Sequence, residues 1–243
     1  MKSIILAAGY ATRLYPLTIN QPKALLPING RAILDYITDE IEKISEIDEI
    51  IVVSNDKFYP HFCRWSEGKN TRIPISVLND GTTDDSNKLG GVGDIWYAIE
   101  NKDVDDDILV MAGDNIFTFS LADYYNEYKR LGTDMILVKE LDDVNELRRM
   151  ANVTVDENGR VTNMVEKPQN PESNIAAFAS YIYRRDTLPL IKKYLDGGNN
   201  PDAPGFFPSW LFKQKAVHAY RFNGECYDIG TPESYAEVNE IFK

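Results

Sequence analysis

Apolar and polar positions fall into blocks along this chain, and the blocks change character near its middle. Ser3-Ile4-Ile5-Leu6-Ala7 is a short apolar run that stops before Gly9, the pattern of a buried strand. Ile33, Leu34, Ile37, Ile41 and Ile44 recur at three- and four-residue steps and predict one face of an amphipathic helix. Ile50-Ile51-Val52-Val53 is a β-branched run and predicts a second strand, with a weaker third over 73–77. Residues 93–100 predict a helix and 108–112 another buried strand. This alternation predicts an α/β fold: a Rossmann-like, mixed, mostly parallel sheet with helices on both faces.

The second half reads differently. Val153, Val155, Val161, Met164 and Val165 flank the turn Asp156-Glu157-Asn158-Gly159 and predict an antiparallel hairpin. Residues 176–183 predict a strand, 186–194 a helix, and Gly197-Gly198-Asn199-Asn200-Pro201 a loop. Thr231 followed by Pro232 predicts a capped helix start, with the helix running to about residue 242. No repeat and no linker divides the chain, so a single domain over 1–243 with an added β-rich region is expected.

Composition narrows the class. Hydrophobic residues make up 43%, enough for a sizeable core. No run approaches the roughly 20 apolar residues of a membrane span. The apolar stretch near the N-terminus is too short for a secretory segment, so a cytoplasmic protein with no membrane partner is expected. Cys63 and Cys226 are too few and too far apart for a disulfide framework or a metal cluster. The net charge of −12 argues against a nucleic-acid partner, which needs a basic patch. It leaves open a phosphate ligand held by a few local cations and a divalent metal. His61 and His218 lack metal-like neighbours in the sequence and read as surface or packing residues.

Three segments carry chemistry. Residues 6–28 read LAAGYATRLYPLTINQPKALLPI: a strand that breaks at Gly9, then Arg13 and Lys23. Amides beside a glycine approach phosphate oxygens closely, arginine offers them a planar fork, and lysine adds a compact charge. In MAGDNIF, residues 111–117, an apolar strand ends at Asp114, where open α/β sheets bind ligands. A hard cation such as Mg²⁺ takes one or two carboxylates plus phosphate oxygens. CYDIGTPESY, residues 226–235, carries Asp228.

Together these segments resemble the sugar-1-phosphate nucleotidylyltransferases. Thr12-Arg13-Leu14, Pro16-Leu17-Thr18, Pro22-Lys23 and Leu26-Pro27 match that family's signature. Gly113-Asp114-Asn115 resembles the metal-binding motif of its glucose-1-phosphate thymidylyltransferases, and Asp228 the aspartate of its late Asp-x-Gly-Thr motif. Leu89-Gly90-Gly91-Val92-Gly93 resembles the stretch that lies against the nucleoside. Glu166-Lys167-Pro168 resembles the Glu-Lys-Pro motif of the acceptor side, and Ser173-Asn174 its following strand.

The resemblance implies the nucleotide-diphospho-sugar transferase fold, with a nucleotide-binding part over about 1–117 and an acceptor-binding, metal-completing part over about 118–243. It implies catalysis by Arg13, Lys23, Asp114 and Asp228, with Mg²⁺ on the two aspartates. Leu6, Ala7, Ala8, Gly9, Thr12, Arg13, Lys23, Asn79, Gly90, Gly91 and Asp114 would bind a nucleoside triphosphate. Asn115, Glu166, Lys167 and Asn174 would bind a sugar 1-phosphate or an analogous phosphate. The expected reaction is in-line displacement at the α-phosphorus with release of pyrophosphate, which rests on positioning and charge more than on covalent help.

Three alternatives stand beside it: CTP with a non-sugar phosphate such as phosphocholine, a non-catalytic sensing or scaffold relative, and a dinucleotide-binding dehydrogenase. The second is expected to lose the charged motif residues, which this chain keeps. The third fails because Gly9 is followed by Tyr10-Ala11-Thr12, not by G-x-G-x-x-G spacing. The Gly-Asp-Asn-Ile-Phe match favours dTTP or UTP. Residues 79–88 depart from the thymidylyltransferase pattern, so CTP and GTP stay open, as does an oligomer. Pro204 to Leu211 is aromatic and non-acidic, either an apolar wall against the acceptor or packing beneath a helix.

Overall fold

The computed structural model describes residues 1–243. It is α/β, and its contacts gather into two compact units that interleave along the chain. The first comprises residues 1–88, 111–122 and 224–243; the second comprises 89–110 and 123–223.

The first unit is built on parallel strands. Lys2–Leu6 pairs with Glu49–Ser54, and that strand pairs with Ile75–Asn79. Ile4, Ile5 and Ile50 to Val53 are fully buried, which is why these runs are apolar without alternation. Helix Ile33–Ile41 buries Ile33, Leu34, Ile37 and Ile41. The expected helix extended to Ile44, but the chain leaves it three residues earlier through a turn that still buries Ile44. The third strand begins and ends two residues later than the apolar run, because the pairing register with Glu49–Ser54 carries it on to Asn79.

Helix Tyr59–Gly68 packs on these strands and had no sequence signal, since Phe62 is its one buried residue. The last helix, Pro232–Ile241, starts as expected: Thr231 accepts from Ser234 N at 3.2 Å and Pro232 occupies the first turn. Tyr235 donates to Pro27 O at 2.6 Å, and Phe242 meets Tyr36 edge-on at 5.6 Å, which ties the chain end to the first unit.

The second unit is mainly antiparallel. Ile175–Tyr183 pairs with Asp134–Glu140 and with Ala151–Val155; the last forms the expected hairpin with Val161–Glu166. Val217–Arg221 joins Asp134–Glu140 in parallel. Asp134 is fully buried, accepting from Arg184 N and Thr187 Oγ1 at 2.8 Å and facing Lys215 Nζ at 3.0 Å. Helix Phe206–Leu211 packs on strand Val161–Glu166. Phe207 is fully buried, edge-on to Tyr183 and Tyr194 and stacked near Trp210. Of the two readings of this aromatic segment, Phe207 takes the packing one. No helix is long and apolar enough to cross a membrane.

Candidate active site

The first strand ends in a loop braced on both sides and open in the middle. Ala7 N donates to Val53 O at 2.9 Å, extending the parallel pairing beyond Leu6. Buried Asn55 donates from Nδ2 to Ala8 O at 2.8 Å while its Oδ1 accepts Phe58 N at 3.0 Å. Beyond Gly9, buried Tyr10 donates its hydroxyl to Thr82 O at 3.0 Å. Ala11 adopts a left-handed φ of 47°, and Thr18 Oγ1 donates to its carbonyl at 2.8 Å. Gly9 itself is exposed, and a methyl group there would meet no atom within 4 Å. Packing therefore does not require glycine at this position. Thr12 and Arg13 are exposed on a 3₁₀ turn that buries Leu14.

Beside this loop three charges converge from distant parts of the sequence. Lys23 starts a short 3₁₀ turn, Lys23–Leu25, and its side chain is 9% exposed. Its Nζ donates to Asp114 Oδ2 at 2.8 Å and to Asp228 Oδ1 at 3.2 Å. Asp114 follows strand Ile108–Ala112 through Gly113, whose amide donates to Leu6 O at 2.9 Å. A methyl on Gly113 would lie 2.9 Å from Leu6 O, so only glycine lets the strand end press against the first strand and bring Asp114 to the loop.

Asp228 arrives by pairing. Strand Cys226–Asp228 runs antiparallel to Asn115–Phe117, with Asp228 opposite Asn115, the neighbour of Asp114. Thr118 fixes the register: its amide donates to Glu225 O and its Oγ1 accepts Glu225 N, both at 2.9 Å. The carboxylates are 43% and 71% exposed, whereas the ammonium between them is buried. Burial works to lower the pKa of Lys23, and Asp114 and Asp228 outweigh it, leaving the ammonium more firmly charged than usual.

The remaining expected residues make no hydrogen bond to that cluster's side chains. Asn79 is committed to its own loop, donating to Asp56 Oδ1 at 2.8 Å and accepting Gly81 N at 2.9 Å. Asn115 keeps a buried Oδ1 with no hydrogen-bond partner. Leu6 and Ala7 are partly exposed at the strand end, and Ala8 is buried.

In the second unit, Glu166 ends its strand, half-buried, and Lys167 and Asn174 are exposed. Lys167 adopts a left-handed φ of 49° while its amide donates to Met150 O at 3.1 Å. Burial pushes the Glu166 carboxyl up against the opposing charge of Lys167. The space at Gly90 and Gly91 is taken by the chain itself, by Pro201 and Asp202 at the first and Pro204 at the second.

Sequence reasoning gave no role of their own to Tyr10, Asn55, Thr82, Gly113 and Gly205. Asn55 had one usable signal, its place at the carboxyl end of a strand. A cleft of about 410 Å³ in the second unit, lined by Asp105, Asp107 and Arg184 to Asp186, is a set of paired charges and contains none of these residues.

The two aspartates suit a hard cation. One ammonium already bridges them, so they are close enough to share a positive charge, and no third Asp, Glu, His or Cys completes a protein-only cage. Mg²⁺ is held by such partial sets, with substrate phosphates and water supplying the rest.

Comparison with known proteins gives the chain a family. A family model described as nucleotidyl transferase matches residues 2–243. A protein of Sulfolobus acidocaldarius provisionally named a mannose-1-phosphate guanyltransferase is 28% identical over 98% of this chain and 62% of its own length. The bifunctional protein GlmU of Methanocaldococcus jannaschii is 31% identical over 99% of this chain, which spans 54% of that protein. UTP–glucose-1-phosphate uridylyltransferase AglF of Haloferax volcanii is 26% identical over 99% of this chain and 96% of its own. This chain thus spans less than two thirds of the first two relatives and nearly all of the third. Among solved structures, a UDP-glucose pyrophosphorylase complexed with UDP-glucose superposes with a TM-score of 0.83 at 21% identity, covering 99% of this chain and 97% of the other.

Proposed function

The chain belongs to the nucleotidyl transferase family, and from that membership we propose that it transfers a nucleotidyl group from a nucleoside triphosphate to a sugar 1-phosphate, forming a nucleotide sugar and pyrophosphate. The observation that carries the proposal is the buried Lys23 ammonium bridging Asp114 and Asp228, beside a loop whose glycine the protein's own packing does not need. Curated relatives named for guanylyl and uridylyl transfer to sugar 1-phosphates support it.

The chemistry divides among the residues as follows. The amides of Ala8 and Gly9, with Thr12, receive the triphosphate, Gly9 because it leaves room for close approach, while Leu6 and Ala7, hydrogen-bonded to Gly113 and Val53, form the base of the loop. Arg13 and Lys23 stabilise charge on the leaving pyrophosphate. Mg²⁺ held by Asp114 and Asp228 supplies, when bound, charge neutralisation at phosphate oxygens. In the second unit Lys167 holds the acceptor phosphate and Glu166 and Asn174 take sugar hydroxyls; Asn115, in the first unit, is an acceptor-side residue by resemblance alone. The acceptor phosphate is ionised at neutral pH, so attack on the α-phosphorus needs no general base.

Asn79, Gly90 and Gly91 complete the nucleotide side, the two glycines through the turn they shape. The Gly113-Asp114-Asn115-Ile116-Phe117 match favours dTTP or UTP as donor. With Phe207 in the core, Glu166 becomes the group an acceptor meets, and the expectation of an apolar acceptor loses part of its support. Mass spectrometry of reactions pairing dTTP, UTP, CTP, GTP and ATP with a panel of sugar 1-phosphates and phosphocholine tests the reading. A nucleotide sugar is expected from at least one pair; a product from phosphocholine alone, or from none, sinks it.

A further inference from the structure

Gly205 is a glycine without a backbone reason. Its φ of −68° and ψ of −16° suit any residue. It is nevertheless buried, and a methyl group there would collide with Glu166 Oε2 and lie 3.5 Å from the Tyr181 hydroxyl. Glycine at this position therefore leaves room for the carboxylate, and nothing in the turn calls for it. Strand Val161–Glu166 and helix Phe206–Leu211 pack on each other, and what the methyl meets is the far end of the Glu166 side chain, so the carboxylate rather than the backbone moves.

Glu166 is desolvated at the end of its strand. No hydrogen-bond donor of the protein offsets its burial, and Lys167 is the one opposing charge. A desolvated carboxylate without donors is costly, and a ligand rich in hydroxyls removes that cost. The segment leading to Gly205 is fastened at its other end. Gly91 N donates to Asp202 O at 2.6 Å and Val92 N to Pro201 O at 2.9 Å. Gly90, at a φ of 80°, leaves the space that Pro201 and Asp202 fill. Residues 201–205 thus form a strap, held by the glycine turn at one end and seated against Glu166 at the other.

We propose that Gly205 is a positioning residue: by presenting no side chain it lets the Glu166 carboxylate sit where it meets the acceptor's hydroxyls, and the 201–205 strap fixes that position. The inference rests on the reading of Glu166 as an acceptor-binding group. It predicts coupling between two residues outside the Lys23 cluster.

The test is a double-mutant cycle with Gly205→Ala, Glu166→Ala and the double variant, in the full chain. The acceptor is whichever sugar 1-phosphate of the panel turns over fastest. Gly205→Ala is expected to raise the acceptor KM roughly tenfold, the size of a weakened charged hydrogen bond, with the triphosphate KM unchanged within about twofold. The double variant is expected to match Glu166→Ala alone, because the carboxylate that a methyl displaces is gone. An unchanged acceptor KM in Gly205→Ala, or losses that add in the double variant, overturns the proposal.

If Glu166→Ala leaves the acceptor KM unchanged, the reading of Glu166 fails and takes the proposal with it, while nucleotidyl transfer itself stands. Should Gly205→Ala fold poorly, thermal melting decides the matter. Recovery of the double variant to the Glu166→Ala midpoint supports the contact; a double variant as unstable as Gly205→Ala overturns it.

Discussion

Lys23 and Gly9 separate two kinds of evidence at the scale of single residues. Lys23 is buried, charged and paired with two carboxylates, so it is held in one place before any substrate arrives. Replacing it by Ala is expected to lower kcat by roughly 10²–10³, the loss seen when one preorganised donor to a transition state is removed. Steady-state kinetics that show a raised KM with kcat intact would reduce Lys23 to a binding group. Gly9 makes the complementary case. A methyl there touches nothing in the protein, so Gly9→Ala is expected to melt within about 1 °C of the parent while its triphosphate KM rises about tenfold. An unchanged KM would mean that no ligand approaches Gly9. Both residues were legible from the signature they belong to. Gly205 and Tyr10 were not, because what singles them out is a neighbour far away in sequence, Glu166 for one and Thr82 for the other.

Elements bring the charges together, and here the sequence was only partly legible. The buried strands and the amphipathic helix were readable because burial on both faces, or along one stripe, leaves an unbroken or periodic apolar record. Helix Leu121–Leu131 and strand Asp134–Glu140 were passed over. The core face of that helix is Leu121, Tyr124, Tyr125 and Tyr128, and three tyrosines in four leave only one residue that stands out as apolar. Asn115–Phe117 and Cys226–Asp228 are three-residue strands, too short for a period-two signal, yet their pairing is what sets Asp228 beside Asp114.

Two element-scale outcomes follow from this dependence. Gly113→Ala is expected to cost about 1–3 kcal/mol by chemical denaturation, since the added methyl presses on Leu6 O, and to lower activity with it. Full stability would show that the strand end is not fixed by that contact. Thr231→Ala removes the cap of the final helix and is expected to cost about 1 kcal/mol, with turnover nearly unchanged because the helix follows Asp228 and carries no reacting group. A loss of turnover as large as that of an Asp228 variant would contradict this division of labour.

For the molecule as a whole, a net charge of −12 means that the polyphosphate of the proposed reaction must be attracted locally. Under that proposal Lys23 and Arg13 would do so in the first unit and Lys167 in the second, and the division of contacts keeps Asp114, Asp228 and the glycine loop together in one unit despite their separation in sequence. Under the proposed function, the residues that handle the donor's phosphates therefore all belong to the first unit and depend on two carboxylates. Its most direct test is pyrophosphate release by the parent and by Asp114→Asn and Asp228→Asn, with the substrate pair found by mass spectrometry, in Mg²⁺ and in excess chelator. The account predicts release only when both substrates and Mg²⁺ are present, with at least a hundredfold loss in each variant at an unchanged melting temperature. Parent-level release by both variants, or undiminished release in chelator, would contradict it.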